Sequence, residues 1–460
     1  MPDYDVAIIG AGPGGYVAAI RASQLGLKTA IVERDEVGGI CLNWGCIPSK
    51  ALLRNADVLQ LFRRAEEFGI SYDNLRYDFG VAIDRSRKVV ATLTSGVETL
   101  LRKNKVEHIK GEARLRDAHT VEVSPNGHAF TASNIVIATG ARPVSIPGLK
   151  VDGERVITSR EALEIRQVPE RVVIIGGGAT GAEFAYLYNA YDSQVTILEM
   201  LPHLLPTEDE DISQLLERSF TRQGITFHTG SRVTGATVTS DGVQLEVDKG
   251  SEVMTLEADR VLVAVGVRAN TEELGLEGVG VALERGYVQV DGSMATNVSG
   301  IYAIGDVTGI MLLAHVASAQ GILAVERIAG MESPDLDYEA MPRATYCHPQ
   351  VTSYGLTEKQ AVERGYEVKI GKFPFQASGK ALAIGETEGM VKVVVNKASG
   401  EILGAHMIGP EVTELLAELS LARLLEGTNR EVGWMVHSHP TLSEAVKEAA
   451  LAADGEAIHI

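Results

Sequence analysis

Cysteine is nearly absent. Three thiols in 460 residues cannot build a disulfide framework, so the fold must stand on its core. Long apolar runs are missing as well: no stretch reaches the ~18 residues of a membrane span, and Met1 leads within a few residues into a strand-like run, Val6 to Ile9, with no secretory leader before it. A basic surplus is the third absence. Lys and Arg number 42 against 61 Asp and Glu, a formal net charge of −19, and no basic run opposes the acids, which disfavours nucleic acid and anionic membrane as partners. A soluble, cytoplasmic protein is expected. At ~150 residues per domain the length allows about three domains, and a hydrophobic fraction of 45% suffices for a large core.

Glycine is abundant, at 48 of 460 residues, and its placement shows that the chain repeats itself. The segments DVAIIGAGPGG (5–15) and RVVIIGGGATG (171–181) share an apolar β-branched run, a glycine cluster and a following helix-like stretch, Tyr16 to Leu25 or Ala182 to Tyr191. Their glycines are Gly10, Gly12 and Gly15, then Gly176, Gly178 and Gly181. Each copy reaches a second strand ending in an acid, Glu33 or Glu199, 23 residues after the first glycine. Three spaced glycines alone are a weak signal, whereas a shared spacing to the acid is a strong one. The glycines permit a tight turn, a pyrophosphate rests on backbone N–H groups at the helix N-terminus, and the carboxylate binds ribose hydroxyls. Two dinucleotides are therefore expected. A carboxylate repels a 2′-phosphate, and MLPHLLP after Glu199 holds no Arg or Lys, which favours NAD over NADP in the second copy.

Two of the three cysteines, Cys41 and Cys46, lie five positions apart in GICLNWGCIPSKALL (39–53). In a regular helix that spacing sets the Cα atoms about 8.6 Å apart, beyond the ~7 Å limit for a disulfide, so a bonded pair requires a break in the helix. Gly45 offers a hinge and Pro48 suits a first turn. Ala51, Leu52, Leu53, Val58, Leu59 and Phe62 follow with helical spacing, placing Cys46 at a helix N-terminus, where the dipole favours a thiolate. Two buried thiols or half of a metal site are the rival readings. No second cysteine pair exists to complete a metal site, and a redox-active disulfide accounts better for the pattern.

GICLNWGCIPSK closely resembles the active-site segment of the flavin-dependent pyridine nucleotide-disulfide oxidoreductases, and the IPSKALL ending most resembles the dihydrolipoamide dehydrogenases among them. The resemblance runs over essentially the whole chain, through Ala138-Thr139-Gly140, TNVSGIYAIGD ending in Asp306, MLLAHVA (311–317) and HSHPTLSEA (437–445). It implies that the first glycine unit holds FAD, with Gly10, Gly12, Gly15, Glu33, Lys50, Thr139, Gly140, Asp306 and Ala314 around it. The second would hold NAD, with Gly176, Gly178, Gly181, Glu183, Glu199 and Gly266. Asp306 matches the aspartate at the FAD ribityl chain, and Lys50 and Glu183 match a charged pair beside the flavin ring. His439 and Glu444 match a base and its carboxylate partner, with a cis bond from His439 to Pro440. The residues support that pairing on their own terms. His437 and His439 lack an evident third metal ligand, whereas Glu444, five residues past His439 and in the first turn of a run that Thr441 or Ser443 can cap, can fix the tautomer of an imidazole base. Ala269 and Ile40 stand where the family usually has proline and threonine, and neither is a reacting group. Cys347 is read as a small semi-buried residue and His315 as a packing one.

The expected architecture is α/β, with two Rossmann-like dinucleotide-binding domains and a C-terminal α+β dimerisation domain. Its segments are FAD-binding 1–147, NAD-binding 148–268, a return to the FAD-binding region over 269–338, and an interface domain 339–460. The implied function is oxidation of protein-bound dihydrolipoamide to lipoamide with reduction of NAD, through Cys41, Cys46 and FAD. No metal is expected. The implied partners are a second copy of the chain and the lipoyl domains and acyltransferase core of a 2-oxoacid dehydrogenase complex, or the glycine cleavage system. The alternatives are a glutathione- or mercuric reductase-like enzyme, or a mainly structural assembly component. Intact Cys41, Cys46 and His439 argue against the last.

Overall fold

The computed structural model describes residues 1–125, 127–250 and 252–460, and its contacts divide the chain into two compact units. The first comprises Met1–Ala51, Val81–Val144 and Gly266–Tyr338. Its central strand, Tyr4–Ile9, pairs in parallel with Thr29–Glu33 on one side and His128–Ile137 on the other, with Ile8 opposite both Ile31 and Val136. Glu107–Lys110 and Ile301–Ala303 extend the parallel sheet at its two ends. Tyr4–Ile9 and Thr29–Glu33 are buried on both faces, which is why they read as continuous apolar runs: Val6, Ile8 and Ile31 pack toward one layer, Ala7, Ile9 and Val32 toward the other. Because the chain leaves the central strand first to one neighbour and later to the other, a crevice opens at the strand's C-terminal end, at Gly10.

The second unit comprises Leu52–Gly80, Ser145–Val265 and Glu339–Ile460. It repeats the parallel plan with Arg171–Ile175 between Gln194–Leu198 and Arg260–Val263, and its crevice opens at Gly176. Its C-terminal part is an antiparallel sheet in the order Arg343–Thr345, Gln350–Gly355, Ile402–Gly409, Met390–Asn396, Val368–Pro374. Helices Val412–Leu424 and Glu444–Ala452 bury Leu416, Leu419, Val446 and Ala449 with that sheet's Tyr354, Val391, Val393 and Met407. Among the described residues no helix is long and apolar enough to cross a membrane.

The two glycine turns are built alike to the ångström. Gly10 and Gly176 adopt φ of +103° and +111°, and a Cβ on either would meet a carbonyl oxygen, of Ala138 or Ala264, at 2.4 Å. A Cβ on Gly15 or Gly181 would lie 1.9 Å from the carbonyl oxygen of Gly10 or Gly176. The third glycine of each copy is thus required for helix and strand to approach. Gly181→Ala should therefore lower stability by about 1–3 kcal/mol, the usual range for overpacking, and weaken binding of a nicotinamide dinucleotide. Urea titration and dinucleotide titration together check it, and an unchanged affinity would show that the turn relaxes around the methyl.

Candidate active site

Helix Gly39–Trp44 ends at Gly45, whose φ of −140° and ψ of −113° are far from helical, and a new helix, Cys46–Arg63, begins at once. The break brings the Cα atoms of Cys41 and Cys46 to 4.7 Å, and the two residues form a disulfide. Cys46 is the first residue of its helix. Buried Asn43 holds the bend by donating from Nδ2 to the carbonyls of Val37 and Gly39, each at 3.0 Å, while Arg87 donates to the Asn43 carbonyl at 2.8 Å. Ser49 secures the new helix, its N–H donating to Gly45 O at 3.1 Å and its hydroxyl to Cys46 O at 3.0 Å. Both cysteines are half-buried.

Each glycine turn carries its acid in the same clasp. Glu33 accepts the Ala11 N–H at 2.7 Å on one oxygen and the Asp35 N–H at 2.7 Å on the other. Glu199 accepts the Gly177 N–H at 2.6 Å and the Leu201 N–H at 2.8 Å. Buried and doubly held, both carboxylates are set at the crevice mouth with lone pairs left for ribose hydroxyls. Helices Pro13–Gln24 and Ala179–Ala190 start at Gly12 and Gly178 with no side-chain cap and no acid in the first turn, so their N–H groups remain for a pyrophosphate. Gly266 takes a φ of +110° and accepts the Val144 N–H.

Asp306 is the remaining test of fit for FAD in the first unit. Burial pushes its carboxyl up to about 6, and no donor among the described residues reaches it, which leaves an acceptor waiting for hydroxyl groups. Gln320 sets its position. The buried Gln320 side chain accepts the Gly305 N–H at 2.7 Å and donates to Tyr338 Oη at 2.9 Å. Ala314 opens helix Ala314–Ile328 in the same unit. The Thr139 hydroxyl donates to Asn270 O at 2.7 Å and keeps its acceptor lone pairs, while Asn270 Nδ2 returns a bond to Thr139 O and its N–H a bond to Gly140 O, both at 2.9 Å. Lys50 sits on helix Cys46–Arg63 in the first unit, and Glu183, buried on its helix in the second, accepts the Tyr346 N–H at 3.0 Å.

His439 belongs to the second unit. Its bond to Pro440 is cis, and its Nδ1 lies 2.9 Å from Oε1 of Glu444, the first residue of helix Glu444–Ala452. Glu444 Oε2 accepts the Thr441 N–H at 2.9 Å. Burial pushes the Glu444 carboxyl up, but the Thr441 N–H and the imidazole outweigh it and hold the group below the usual range. With Nδ1 occupied, Nε2 is free on a side chain that is 79% exposed. The expected helix cap is corrected: Ser443 stands at the N-cap but makes no side-chain capping bond, and Thr441 Oγ1 donates instead to Ser438 O. Sequence reasoning also passed over Asn43 and Gln320. Asn43 lies inside the cysteine motif and was open to notice, whereas nothing near Gln320 in sequence marks it. Cys347 is fully buried, its thiol directed at Pro349 O, and no group of three or more His, Cys, Asp or Glu among the described residues is placed to hold a metal.

The raised carboxyl of Asp306 generates a pH prediction. Folding lifts its pKa from 3.8 to about 6, so the folded apo-protein binds the proton more tightly, and stability is lost as pH rises through that window. Asp306→Asn should raise the melting temperature of apo-protein at about pH 8, by an increment worth about 1–3 kcal/mol that shrinks toward about pH 4, yet weaken FAD retention. A pH-independent difference in melting would contradict the buried charge.

Comparison with known proteins places these features in context. The sequence profile described as "Pyridine nucleotide-disulphide oxidoreductase" matches residues 4–321, and that of the family's dimerisation domain matches residues 341–450. A dihydrolipoyl dehydrogenase of Chlorobaculum tepidum is 49% identical over 97% of this chain and 96% of its own. One from Bacillus subtilis is 45% identical over 99% of both. Among solved structures, LpdA of Mycobacterium tuberculosis superposes with a TM-score of 0.91 at 28% identity, over 97% of this chain and 98% of the other. The HOCl-induced flavoprotein disulfide reductase RclA of Escherichia coli does so with 0.87 at 27% identity, over 96% and 98%.

Proposed function

Because the chain belongs to the pyridine nucleotide-disulphide oxidoreductases, we propose that the two cysteines and the His–Glu pair described above work together as the dithiol-oxidising site of a dihydrolipoamide dehydrogenase. The enzyme uses FAD and NAD. The observation that carries the reading is the Cys41–Cys46 disulfide at a helix N-terminus.

His439 Nε2 takes a proton from dihydrolipoamide while Glu444, bonded to Nδ1, fixes the tautomer and stabilises the imidazolium that forms. The substrate thiolate attacks Sγ of Cys41, the S–S bond to Cys46 breaks, and Cys46 leaves as a thiolate favoured by the N–H groups of its helix. The second substrate thiol then attacks the mixed disulfide, releasing lipoamide and the Cys41 thiol. Bound FAD supplies the two-electron relay from this dithiol to NAD. Gly10, Gly12, Gly15, Glu33 and Asp306 would hold FAD; Gly176, Gly178, Gly181 and Glu199 would hold NAD, with Gly266 and Glu183 beside them. The family resemblance gives Lys50 and Glu183 each a role toward the flavin ring. Met200 and Leu201 after Glu199 offer no cation to a 2′-phosphate, which weighs against a glutathione reductase-like, NADPH-linked reading.

The dimerisation domain supports a homodimer. His439 serves the disulfide of the other subunit, and the dimer works in the cytoplasm on lipoyl domains carried by the acyltransferase core of a 2-oxoacid dehydrogenase complex or on the glycine cleavage system. The test of the shared site uses Cys41→Ser and His439→Gln, each inactive alone, unfolded and refolded together in equal amounts. Random pairing makes about half of the dimers hybrid, and each hybrid has one site with neither change, restoring about a quarter of wild-type activity. No recovery, with hybrids verified by mass, would refute a site built from two subunits.

A further inference from the structure

The loop before helix Glu444–Ala452 carries two histidines, and the structure treats them oppositely. The side chain of His439 is 79% exposed and that of His437 only 2%. His437 Nδ1 lies 3.0 Å from the carbonyl oxygen of Met435, and Nε2 lies 2.9 Å from Glu418 Oε1. A carbonyl can only accept, so Nδ1 carries a proton, and the Nε2 to Glu418 contact holds a second proton on one partner or the other. With both nitrogens engaged, the ring can neither turn over nor take a proton from a substrate. Glu418 projects from helix Val412–Leu424, whose Leu416 and Leu419 are buried against the sheet, so this contact ties the start of the loop to the core. Glu444 ties down its end through His439 Nδ1 and the Thr441 N–H. His439 lies between the two anchors with only Nε2 open.

We infer that His437 and Glu418 form a positioning pair, which fixes the loop so that His439 Nε2 faces the dithiol rather than sweeping past it. The inference rests on the reading of His439 as the base. In holoenzyme, Glu418→Ala frees the His437 ring, and turnover of dihydrolipoamide with NAD should fall by about 10- to 100-fold, the usual consequence of a misplaced catalytic group. NADH oxidation by ferricyanide, which needs neither the dithiol nor His439, should stay at the wild-type rate. Glu418→Gln should turn over within about twofold of wild type, because its amide N–H can donate to Nε2 while Nδ1 keeps its proton for Met435. In a His439→Gln background Glu418→Ala should add no further loss, since the pair acts through that residue. Wild-type turnover in Glu418→Ala would overturn the inference. So would failure of the glutamine to rescue, a parallel loss of the ferricyanide rate, or losses that multiply in the His439→Gln background. Wild-type turnover in His439→Gln alone would instead remove the base assignment on which the pair depends.

Discussion

Two cysteines five positions apart can share a bond only because the helix that carries them is interrupted, and the interruption at Gly45 is the constraint on which the chemistry depends. A continuous helix would hold the Cα atoms about 8.6 Å apart; the break brings them to 4.7 Å and in the same step makes Cys46 the first residue of a helix of 18. One local departure therefore supplies both the bond that a dithiol can reduce and N–H groups that would stabilise a thiolate released at Cys46. Asn43 and Ser49 hold that departure in place from either side.

Around this centre the chain distributes charge with economy. An acidic protein of net charge −19 must still attract two polyanionic dinucleotides. Helix N-termini free of acids in the first turn, and carboxylates held by backbone N–H groups with lone pairs to spare, would serve that purpose. The same device recurs at the base, where the Thr441 N–H shares Glu444 with His439. Backbone donors, set by the fold, direct Glu33, Glu199 and Glu444, whereas Asp306 is left without one among the described residues.

The parts of the site governed by local geometry were legible in the sequence. The spacing from Gly10 to Glu33 and from Gly176 to Glu199 reports a strand, a turn, a helix and a strand of fixed lengths, and the structure returns the same pair of hydrogen bonds in each copy. Gly45 and Pro48 marked the helix break for a similar reason. What escaped depends on contacts between residues distant in sequence. Gln320 matters because its helix meets the Gly305 turn, the Thr139 hydroxyl donates to Asn270 more than a hundred residues away, and the cap expected from Thr441 or Ser443 yields to a bond between Thr441 and Ser438. His437, set aside as a metal ligand for want of a third, had no assigned partner until Glu418 supplied one.

The central claim is that the Cys41–Cys46 pair receives the substrate's electrons and that Cys46, released as the thiolate, is the one that would hand them to FAD. Anaerobic titration of the holoenzyme with dihydrolipoamide tests it most directly. One equivalent of dithiol should produce a long-wavelength thiolate-to-flavin charge-transfer band, and the same titration of Cys46→Ser should produce none while FAD stays bound. Retention of the band in Cys46→Ser, or direct bleaching of the wild-type flavin with no such band, would contradict the account.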